Sequence, residues 1–371
     1  MWNISTPQGL EALGWDTAWA SALATLGDPS LQPARVSRVD RGMCTAMTGS
    51  AEIRLATPLG LQVAVGDWLA VKAGTNHDST WCIGAVLPRR GVFRRSTGKG
   101  ANPEQIVAAN IDTVFVCDAL DARLSIRHLE RFLVLAFQSG ATPVVVITKS
   151  DSVTAGAAAH AVEAVKAVAE GINVVMISST TGEGISDIAA FLIPGRTVAL
   201  LGLSGAGKST LANLLAGSEI LATGAVRRDG TGRHTTTHRQ LLVLPGGSLL
   251  IDTPGMRALS VLGAGEGVER AFTDVEEVAV RCAYRDCSHS GEPGCAIAEA
   301  VSEGHLELSR VESWLTLKAG PGSPELDAAG RDATKRGVAQ RKQRKAEKVA
   351  DRRAGKASTV EPLPEAARSA T

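Results

Sequence analysis

The feature that most constrains this chain is a glycine-rich segment placed between an apolar strand and a helix. It contains Gly202, Leu203, Ser204, Gly205, Ala206, Gly207, Lys208, Ser209 and Thr210 and matches G-x-x-x-x-G-K-[ST]. The flanking patterns predict a strand over Thr197–Leu201 and a helix over 209–215. Backbone N–H groups in such a loop bind phosphates, assisted by the helix dipole. We therefore predict a nucleotide site in which Lys208 bridges the β- and γ-phosphates and the Ser209 hydroxyl binds Mg²⁺.

Two further motifs lie downstream of this loop. Asp252, Thr253, Pro254 and Gly255 follow an apolar strand predicted over 248–251. Asp252 suits a water-mediated Mg²⁺ contact, and the Gly255 N–H can approach the γ-phosphate because no Cβ intrudes. The polar run 232–237 lies between the two motifs. It contains Thr235 and Thr236, and we predict that a threonine of this run, Thr236 by preference, binds Mg²⁺, with Thr235 beside the nucleotide.

Base recognition is predicted upstream, at the ends of two other apolar strands. Thr148, Lys149, Ser150 and Asp151 resemble the N-K-x-D guanine motif, with Thr in place of Asn. The Asp151 carboxylate would accept both guanine protons, and the Lys149 stem would lie along the ring. Ser178 and Ser179 follow the next strand and resemble the S-A-x motif. Together the two segments favour GTP over ATP.

The order of these motifs is the reverse of that in ordinary small GTPases, because the guanine motifs precede the phosphate loop. We interpret this as a circular permutation of an α/β domain with a largely parallel sheet. Strands predicted over 111–117, 143–148 and 173–177 alternate with helices over 128–138 and 155–170. The fold can survive permutation, since ligand loops still lie at the carboxyl ends of the strands.

The third strong signal is a cysteine cluster. Cys282, Cys287, His289 and Cys295 supply three thiolates and one imidazole within fourteen residues. This closed Cys₃His set indicates a structural zinc site, whereas a redox pair or merely buried cysteines are the alternatives. Surrounding residues 268–320 are helical in pattern. Cys44, Cys82 and Cys117 lie in apolar or strand surroundings, and we assign them no function.

Short strands separated by turns occupy the N-terminal part, including 51–56, 62–65, 68–71 and 81–87, and suit a small β-barrel such as an OB-fold. Asp16 can cap a preceding helix. We expect residues 91–110 to be a basic connecting loop, either a solvated linker or an RNA contact. The predicted divisions are a helical lead-in over 1–34, an OB-fold over 35–98, a permuted GTPase domain over 99–265, an α-helical zinc domain over 266–320 and a basic mobile tail over 321–371.

These motifs, their order and the stretch 105–112 resemble the RsgA (YjeQ) family of circularly permuted GTPases. The resemblance extends over roughly residues 35–320. It implies an OB-fold, a permuted GTPase domain and a zinc domain, with GTP hydrolysis stimulated by the 30S subunit during its late maturation. Position 148 holds threonine where the family's N-K-x-D pattern has asparagine. This difference bears on how strongly the site selects guanine, not on the preference for guanine itself.

The residue that positions the attacking water is not the usual one. Ras-like enzymes carry Gln directly after D-T-P-G, where this chain has Met256. Because Met cannot orient water, we predict slow intrinsic hydrolysis and take His234 as the catalytic candidate, with His238 less favoured. The alternative is that His234 only stabilises its segment or contacts RNA.

Composition sets the remaining expectations. Lys+Arg number 39 and Asp+Glu 38, but residues 331–356 alone hold eleven basic and three acidic side chains, so a basic tail follows a mildly acidic body. No apolar run is long enough for a membrane span, and no signal peptide is evident. We expect a cytoplasmic monomer that binds the 30S subunit and its 16S rRNA, GTP or GDP, Mg²⁺ and one Zn²⁺, but no DNA or membrane. There are two alternatives. The first is a passive rRNA-binding factor with a nucleotide-sensing site, and the second is an ATP- or GTP-dependent enzyme that acts on a small molecule.

Overall fold

A computed structural model describes residues 9–74, 81–96, 104–120, 124–218, 239–252, 265–289 and 291–320. Its strands, in chain order, are β1 (Gln32–Asp40), β2 (Met43–Met47), β3 (Glu52–Ala56), β4 (Trp68–Ala73), β5 (Trp81–Val86), β6 (Val92–Ser96), β7 (Glu104–Ala109), β8 (Thr113–Ala119), β9 (Thr142–Thr148), β10 (Asn173–Met176), β11 (Thr197–Leu201), β12 (Arg239–Val243) and β13 (Leu249–Asp252). Its α-helices are α1 (Thr17–Ala24), α2 (Ile126–Gln138), α3 (Ala155–Val168), α4 (Ile185–Ala189), α5 (Lys208–Ala216), α6 (Glu266–Ala271), α7 (Thr273–Ala279), α8 (Ala296–Ser302) and α9 (Leu308–Ala319).

Five parallel strands form the centre of the main sheet, in the order β10-β9-β8-β11-β13. They are short apolar runs, as expected of parallel strands covered on both faces. Leu129 of α2 and Val165 of α3 belong to the core on one face, whereas Ile188 of α4 and Leu211 of α5 belong to the core on the other. The predicted α/β domain is therefore a sheet between two layers of helices.

The parallel strands continue into an antiparallel region without a break. Strand β12 pairs antiparallel with β13 on one side and, at Arg38 and Val39, with β1 on the other. The earlier residues of β1 pair with β4, while β2 lies along its opposite edge. Strand β1 thus joins the N-terminal strands to the parallel sheet through backbone hydrogen bonds.

The N-terminal strands are antiparallel, in the order β3-β2-β1-β4-β5, and β3 also contacts β5. Alternate residues of β3 are buried, among them Ile53 and Leu55. This pattern is typical of a sheet with one covered face. A separate, smaller core lies between these strands.

The prediction of a connecting loop over 91–110 is wrong. Strands β6 and β7 pair antiparallel there, with Phe93 and Val107 buried. The basic side chains obscured this pattern, because several are held by acidic or polar partners. Arg89 binds the fully buried Asp67 at 2.7 Å, Arg90 binds Asp16 at 2.6 Å, Arg94 lies 3.8 Å from Glu104, and Arg95 donates to Gln105 at 2.9 Å.

Apart from one strand, the other secondary-structure predictions are confirmed, with small shifts of their ends. The strand over Thr197–Leu201 is reproduced, and Asp16 caps α1 by accepting from the Ala18 and Trp19 N–H groups. The strand predicted over 62–65 is absent, since only Val65 forms an isolated bridge, with Ala108. Searching the described part of the chain finds no helix with the length and hydropathy of a membrane span.

The C-terminal helices α6 to α9 pack on the sheet domain through α2. Arg310 of α9 is nearly buried and donates to both Asp274 oxygens at 2.8 Å and to Glu130 of α2 at 3.0 Å. It also binds the Ala271 carbonyl at 2.9 Å. One guanidinium therefore ties α2, α6 and α7 to α9, and its planar set of five donors is suited to this role.

Candidate functional site: a nucleotide cradle and a thiol cluster

The glycine-rich loop leaves the fully buried strand β11 and enters α5 at Lys208. Gly202 has φ +150°, and a Cβ there would lie 2.1 Å from the Cys117 carbonyl oxygen. Gly207 precedes the helix with φ +75°. Both positions therefore require glycine, since a side chain would collide at the first and strain the backbone at the second. Ser209 and Thr210 lie exposed in the first turn of α5.

The Lys208 side chain lies back over its own loop. Its ammonium donates to the Gly202 carbonyl at 2.8 Å and to the Leu203 carbonyl at 2.5 Å. These contacts hold the positive charge at the mouth of the loop, beside the exposed Ser204. A helix N-terminus and a lysine ammonium at one loop form a site suited to phosphate groups.

The predicted base-recognition segments lie together at the ends of neighbouring parallel strands. Thr148 ends β9, and the Asp151 carboxylate accepts a hydrogen bond from the Ser178 hydroxyl at 2.6 Å. The same Ser178 oxygen accepts from the N–H groups of Thr180 and Thr181. The fully buried Ser178 therefore holds Asp151, which is itself exposed, in a fixed position.

Thr148 connects the base segment to the phosphate loop. Its buried hydroxyl lies 3.1 Å from the Ala206 carbonyl and 3.3 Å from the Asp118 carbonyl. A Cβ on Gly207 would meet this hydroxyl at 3.0 Å, which shows how closely the two segments approach. The side chain that departs from the N-K-x-D pattern is thus the physical link between the two halves of the cradle.

Several predicted nucleotide ligands can be placed only in part. Strand β13 ends at Asp252, and its neighbouring residue Ile251 pairs in parallel with Ala199 of β11. This places the Asp252 backbone at the same edge of the sheet as the phosphate loop. The predicted residues that lie outside the described part of the chain are His234, Thr235, Thr236 and Gly255. Lys149 has φ +62°, and Ser150 and Ser179 are partly exposed near Asp151.

Sequence reasoning missed Asp118, at the end of β8. This nearly buried carboxylate accepts from its neighbour's N–H, that of Ala119, at 2.9 Å, and its carbonyl lies within reach of Thr148. A charged residue that ends an apolar strand is a signal that could have revealed it. Cys117, beside it, remains without a chemical role, because burial raises the pKa of its thiol to about 12.

The predicted thiol cluster is assembled. The ligand atoms of Cys282, Cys287, His289 and Cys295 all lie within 4.8 Å of one another. His289 Nδ1 is 3.5 Å from the Cys282 sulfur and 3.9 Å from the Cys295 sulfur. Ligands of one tetrahedral Zn²⁺, at about 2.3 Å for sulfur, are separated by similar distances, about 3.8 Å. These four side chains could hold a metal ion.

The surroundings of one cluster residue, Cys282, favour its metal-binding form. Burial acts to raise the pKa of Cys282, but hydrogen bonds from the Ala296 and Ile297 N–H groups at the start of α8 outweigh it and lower the pKa. A lowered pKa favours the thiolate, the form that binds metals. His289 packs against Trp314 with ring centroids 5.1 Å apart, which fixes the imidazole beside the sulfurs.

A phosphate loop, a linked base segment and a permuted motif order on one sheet define the class: a circularly permuted P-loop GTPase. The RsgA GTPase family model matches residues 86–262. The Small ribosomal subunit biogenesis GTPase RsgA of Streptomyces coelicolor is 44% identical over 322 residues, covering 84% of this chain and 87% of the relative. That of Opitutus terrae is 41% identical over 328 residues, covering 83% and 89%. The chain belongs to the RsgA family.

Solved structures agree with this assignment. The crystal structure of YjeQ from Thermotoga maritima superposes with a TM-score of 0.60 at 26% identity, covering 78% of this chain and 97% of that one. YloQ, described as a circularly permuted GTPase, gives a TM-score of 0.56 at 22% identity, covering 78% and 94%. The second likeness concerns the fold alone.

Proposed function

We propose that this GTPase hydrolyses GTP to GDP and phosphate on the small ribosomal subunit during late maturation of that particle. The observation that carries the nucleotide assignment is the Thr148 link between the base segment and the phosphate loop. It supports the proposal because it connects the segment that contains Asp151 to the loop that contains Lys208. The partner is proposed from the names of the relatives, each a small ribosomal subunit biogenesis GTPase.

Within the cradle we assign each residue a role. Asp151 accepts the guanine N1–H and N2–H₂ protons, with Lys149, Ser150, Ser178 and Ser179 around the base. The loop over 202–210 wraps the phosphates, and Lys208 neutralises their charge. Ser209, Thr236 and Asp252 are the proposed Mg²⁺ ligands, and the ion would neutralise charge on the β- and γ-oxygens. Thr235 and Gly255 complete the proposed contacts to the nucleotide.

For hydrolysis we retain His234, supported by the Met at position 256, which cannot orient water. A neutral imidazole can position the attacking water or polarise it. His234→Ala should therefore abolish stimulated turnover while GDP affinity stays unchanged, measured with purified 30S subunits. His238→Ala is the matched control. Unchanged stimulated turnover in His234→Ala would show that His234 only supports its segment or contacts RNA.

We also propose that the thiol cluster binds one structural Zn²⁺, held by three thiolates and His289. Four protein ligands leave no open position for substrate, so the role is to order helices α7 to α9. The N-terminal antiparallel strands form the proposed OB-fold, supported by the contact between β3 and β5 that brings the ends of the sheet together. We also propose the domain limits predicted from the sequence, with divisions after residues 34, 98, 265 and 320.

We propose that the protein binds RNA, and not DNA, and that it acts as a monomer in the cytoplasm. The basic tail after residue 331 is the main source of contacts to phosphate in this proposal, because Arg89 and Arg90 are engaged by Asp67 and Asp16. Affinity for the particle should then fall steeply with salt. Removal of the tail tests this: the slope of affinity against salt should flatten.

Turnover measured with and without 30S subunits is the experiment that tests the function. Stimulation by 30S, but not by 50S subunits, is the expected result. Co-sedimentation should also differ between GDP and a non-hydrolysable GTP analogue. If 30S subunits bind alike in both states and no turnover occurs, the alternative of a passive rRNA-binding factor with a nucleotide-sensing site replaces the proposal.

A further inference from the structure

One acidic side chain, Glu292, turns back toward the thiol cluster from the loop between His289 and Cys295. Its Oε1 atom accepts hydrogen bonds from the Ser288 N–H at 2.9 Å and from the Ser288 hydroxyl. Its Oε2 atom lies 3.7 Å from the Cys287 sulfur. Neither the proposed GTP hydrolysis nor the four proposed zinc ligands account for these contacts, so they need a separate explanation.

The main chain of Glu292 contacts the fourth proposed ligand. Its carbonyl accepts from the Cys295 N–H at 3.0 Å. Cys295 is the N-cap of α8, where its sulfur accepts from the Ala298 N–H at 3.5 Å. The side chain of Glu292 holds Ser288, which stands in the chain between the second and third ligands. Glu292 therefore joins the two segments that carry three of the four proposed ligands.

His289 has a backbone conformation that few residues with a side chain adopt. Its φ is +60°, in the left-handed region. This region is strained for a residue other than glycine, so the surrounding structure must hold the residue there. Ser288, which Glu292 binds twice, leads directly into His289, and the Trp314 ring packs against the imidazole with centroids 5.1 Å apart. The Glu292 contacts thus restrain the chain next to a strained proposed ligand.

Glu292 lies beside the proposed ligand set and is not a member of it. In the part of the chain that the structure describes, the group of ligand atoms within 4.8 Å of one another comes from three cysteines and His289, with no carboxylate among them. Four ligands already complete a tetrahedral zinc site. Residues that hydrogen-bond around the ligands orient them, and their loss weakens metal binding by roughly 10–100-fold. Glu292 therefore fits an orienting role.

The negative charge of Glu292 is the competing explanation for its position. One Zn²⁺ with three thiolates and a neutral imidazole carries a net negative charge, so a carboxylate gains no attraction to the complex as a whole. The Cys287 sulfur, as a thiolate, would be a second negative charge 3.7 Å from Oε2. The hydrogen bonds to Ser288, rather than the charge, are therefore the favourable contribution, and an amide oxygen could accept them equally.

We propose that Glu292 is a positioning residue of the thiol cluster, whose hydrogen bonds to Ser288 hold the turn from Cys287 to His289 ready for one zinc ion. This role rests on the proposed zinc site, and it makes the affinity for metal depend on a residue outside the ligand set. Zinc affinity, rather than GTP turnover, is therefore the property to measure.

The test uses the full chain isolated with its bound zinc and saturated with GDP and Mg²⁺. Competition with a chromophoric chelator measures the zinc affinity of each variant. Glu292→Ala should weaken zinc binding by about tenfold or more, whereas Glu292→Gln should remain within about threefold of the parent chain, because its amide oxygen still accepts from Ser288. Glu299→Ala, at an exposed position on α8, is the matched control and should leave zinc affinity unchanged.

A second variant tests the route through Ser288. Ser288→Ala removes the hydroxyl and keeps the N–H, so it should weaken zinc binding by about threefold, as expected for one hydrogen bond. Little further loss should appear when this change is added to Glu292→Ala, because both changes remove one shared contact.

The outcomes separate the positioning role from the zinc site itself. Parent-like zinc affinity in Glu292→Ala, or an equal loss in Glu292→Ala and Glu292→Gln, would overturn the positioning role while the zinc site stands. A parent chain that binds no zinc would overturn both. GDP affinity should be unchanged in every variant, which shows that the sheet domain is folded.

Discussion

The nucleotide cradle and the thiol cluster are both sites for a ligand, but they are built in opposite ways. The four cluster residues occupy fourteen consecutive positions, and their ligand atoms converge to within 4.8 Å. The cradle takes its residues from four strand ends, between Thr148 and Asp252. The cluster therefore depends on a short stretch of chain, whereas the cradle depends on the register of the whole parallel sheet.

This difference predicts which property each site controls. The phosphate loop sits on a sheet whose core is complete without any ligand, so damage to the loop should remove activity and spare the fold. The cluster lies among short helices with little core of their own, so damage there should unfold that region and spare the cradle. The predictions that follow test this comparison, beginning with the largest effect.

Lys208→Ala should reduce GTP turnover by about 10³-fold, the order expected on losing a positioned charge at developing negative charge. The ammonium donates to the Gly202 and Leu203 carbonyls of its own loop at 2.8 and 2.5 Å, so thermal unfolding should barely change. Turnover and the melting temperature are the measurements. Lys166→Ala, at an exposed position on α3 paired with Glu163, is the control. A large drop in melting temperature would remove the contrast between the sites.

Cys287→Ser should lose the bound metal and destabilise helices α7 to α9 by several kcal/mol, on the order seen when metal binding supplies folding energy. Metal content and hydrogen exchange of these helices are the measurements, with GDP affinity expected to stay unchanged. Cys82→Ser is the matched control, since that thiol is exposed and outside the cluster. Normal protection of α7 to α9 without metal would contradict the structural role.

Arg310→Met should destabilise the chain by about 3 kcal/mol, because it leaves the buried Glu130 carboxylate without its charged partner. Burial already raises the pKa of Glu130 although Arg310 lies against it. Chemical denaturation measures the loss. Arg281→Met is the control, because that side chain is exposed and donates to the Glu277 carbonyl of its own helical turn. Equal stability of the two variants would show that the cluster region and α2 are held by other contacts.

Thr148→Val should weaken GDP binding about fivefold, equivalent to roughly 1 kcal/mol for one hydrogen bond. The change keeps the shape of the side chain but removes the donor to the Ala206 carbonyl. Titration with a fluorescent GDP analogue measures the effect, and Thr142→Val at the exposed start of β9 is the control. Unchanged affinity would mean that the two halves of the cradle are positioned independently.

The sequence predicted the elements of the parallel sheet well, because each strand is a short apolar run bounded by turn residues. The strand at Thr197–Leu201 and the helix after it follow directly from local pattern. The hairpin of β6 and β7 was missed for a physical reason. Its arginines suggested solvent, and only the folded chain brings Glu104 and Gln105 to them.

In the two candidate sites, too, some features could be predicted from the sequence and others could not. The cluster could be predicted almost completely, since ligand spacing alone determines it. The contacts of the Thr148 hydroxyl with two backbone carbonyls could not be predicted, because the carbonyls belong to residues 30 and 58 positions away, Asp118 and Ala206. Backbone carbonyls leave no mark on the sequence, so no pattern reveals which of them a buried hydroxyl will find.

The sequence by itself determined the local chemistry: a phosphate loop, a permuted order of motifs, and four metal-binding side chains at fixed spacing. Only the tertiary structure decided how distant segments meet. Strand β12 pairs with β1 across some 200 residues and makes one continuous sheet, and residues as remote in sequence as Trp15 and Arg196 line one cavity. The reason is that side-chain type and spacing act over a few residues, whereas edge pairing and cavities depend on backbone groups that are the same at nearly every position.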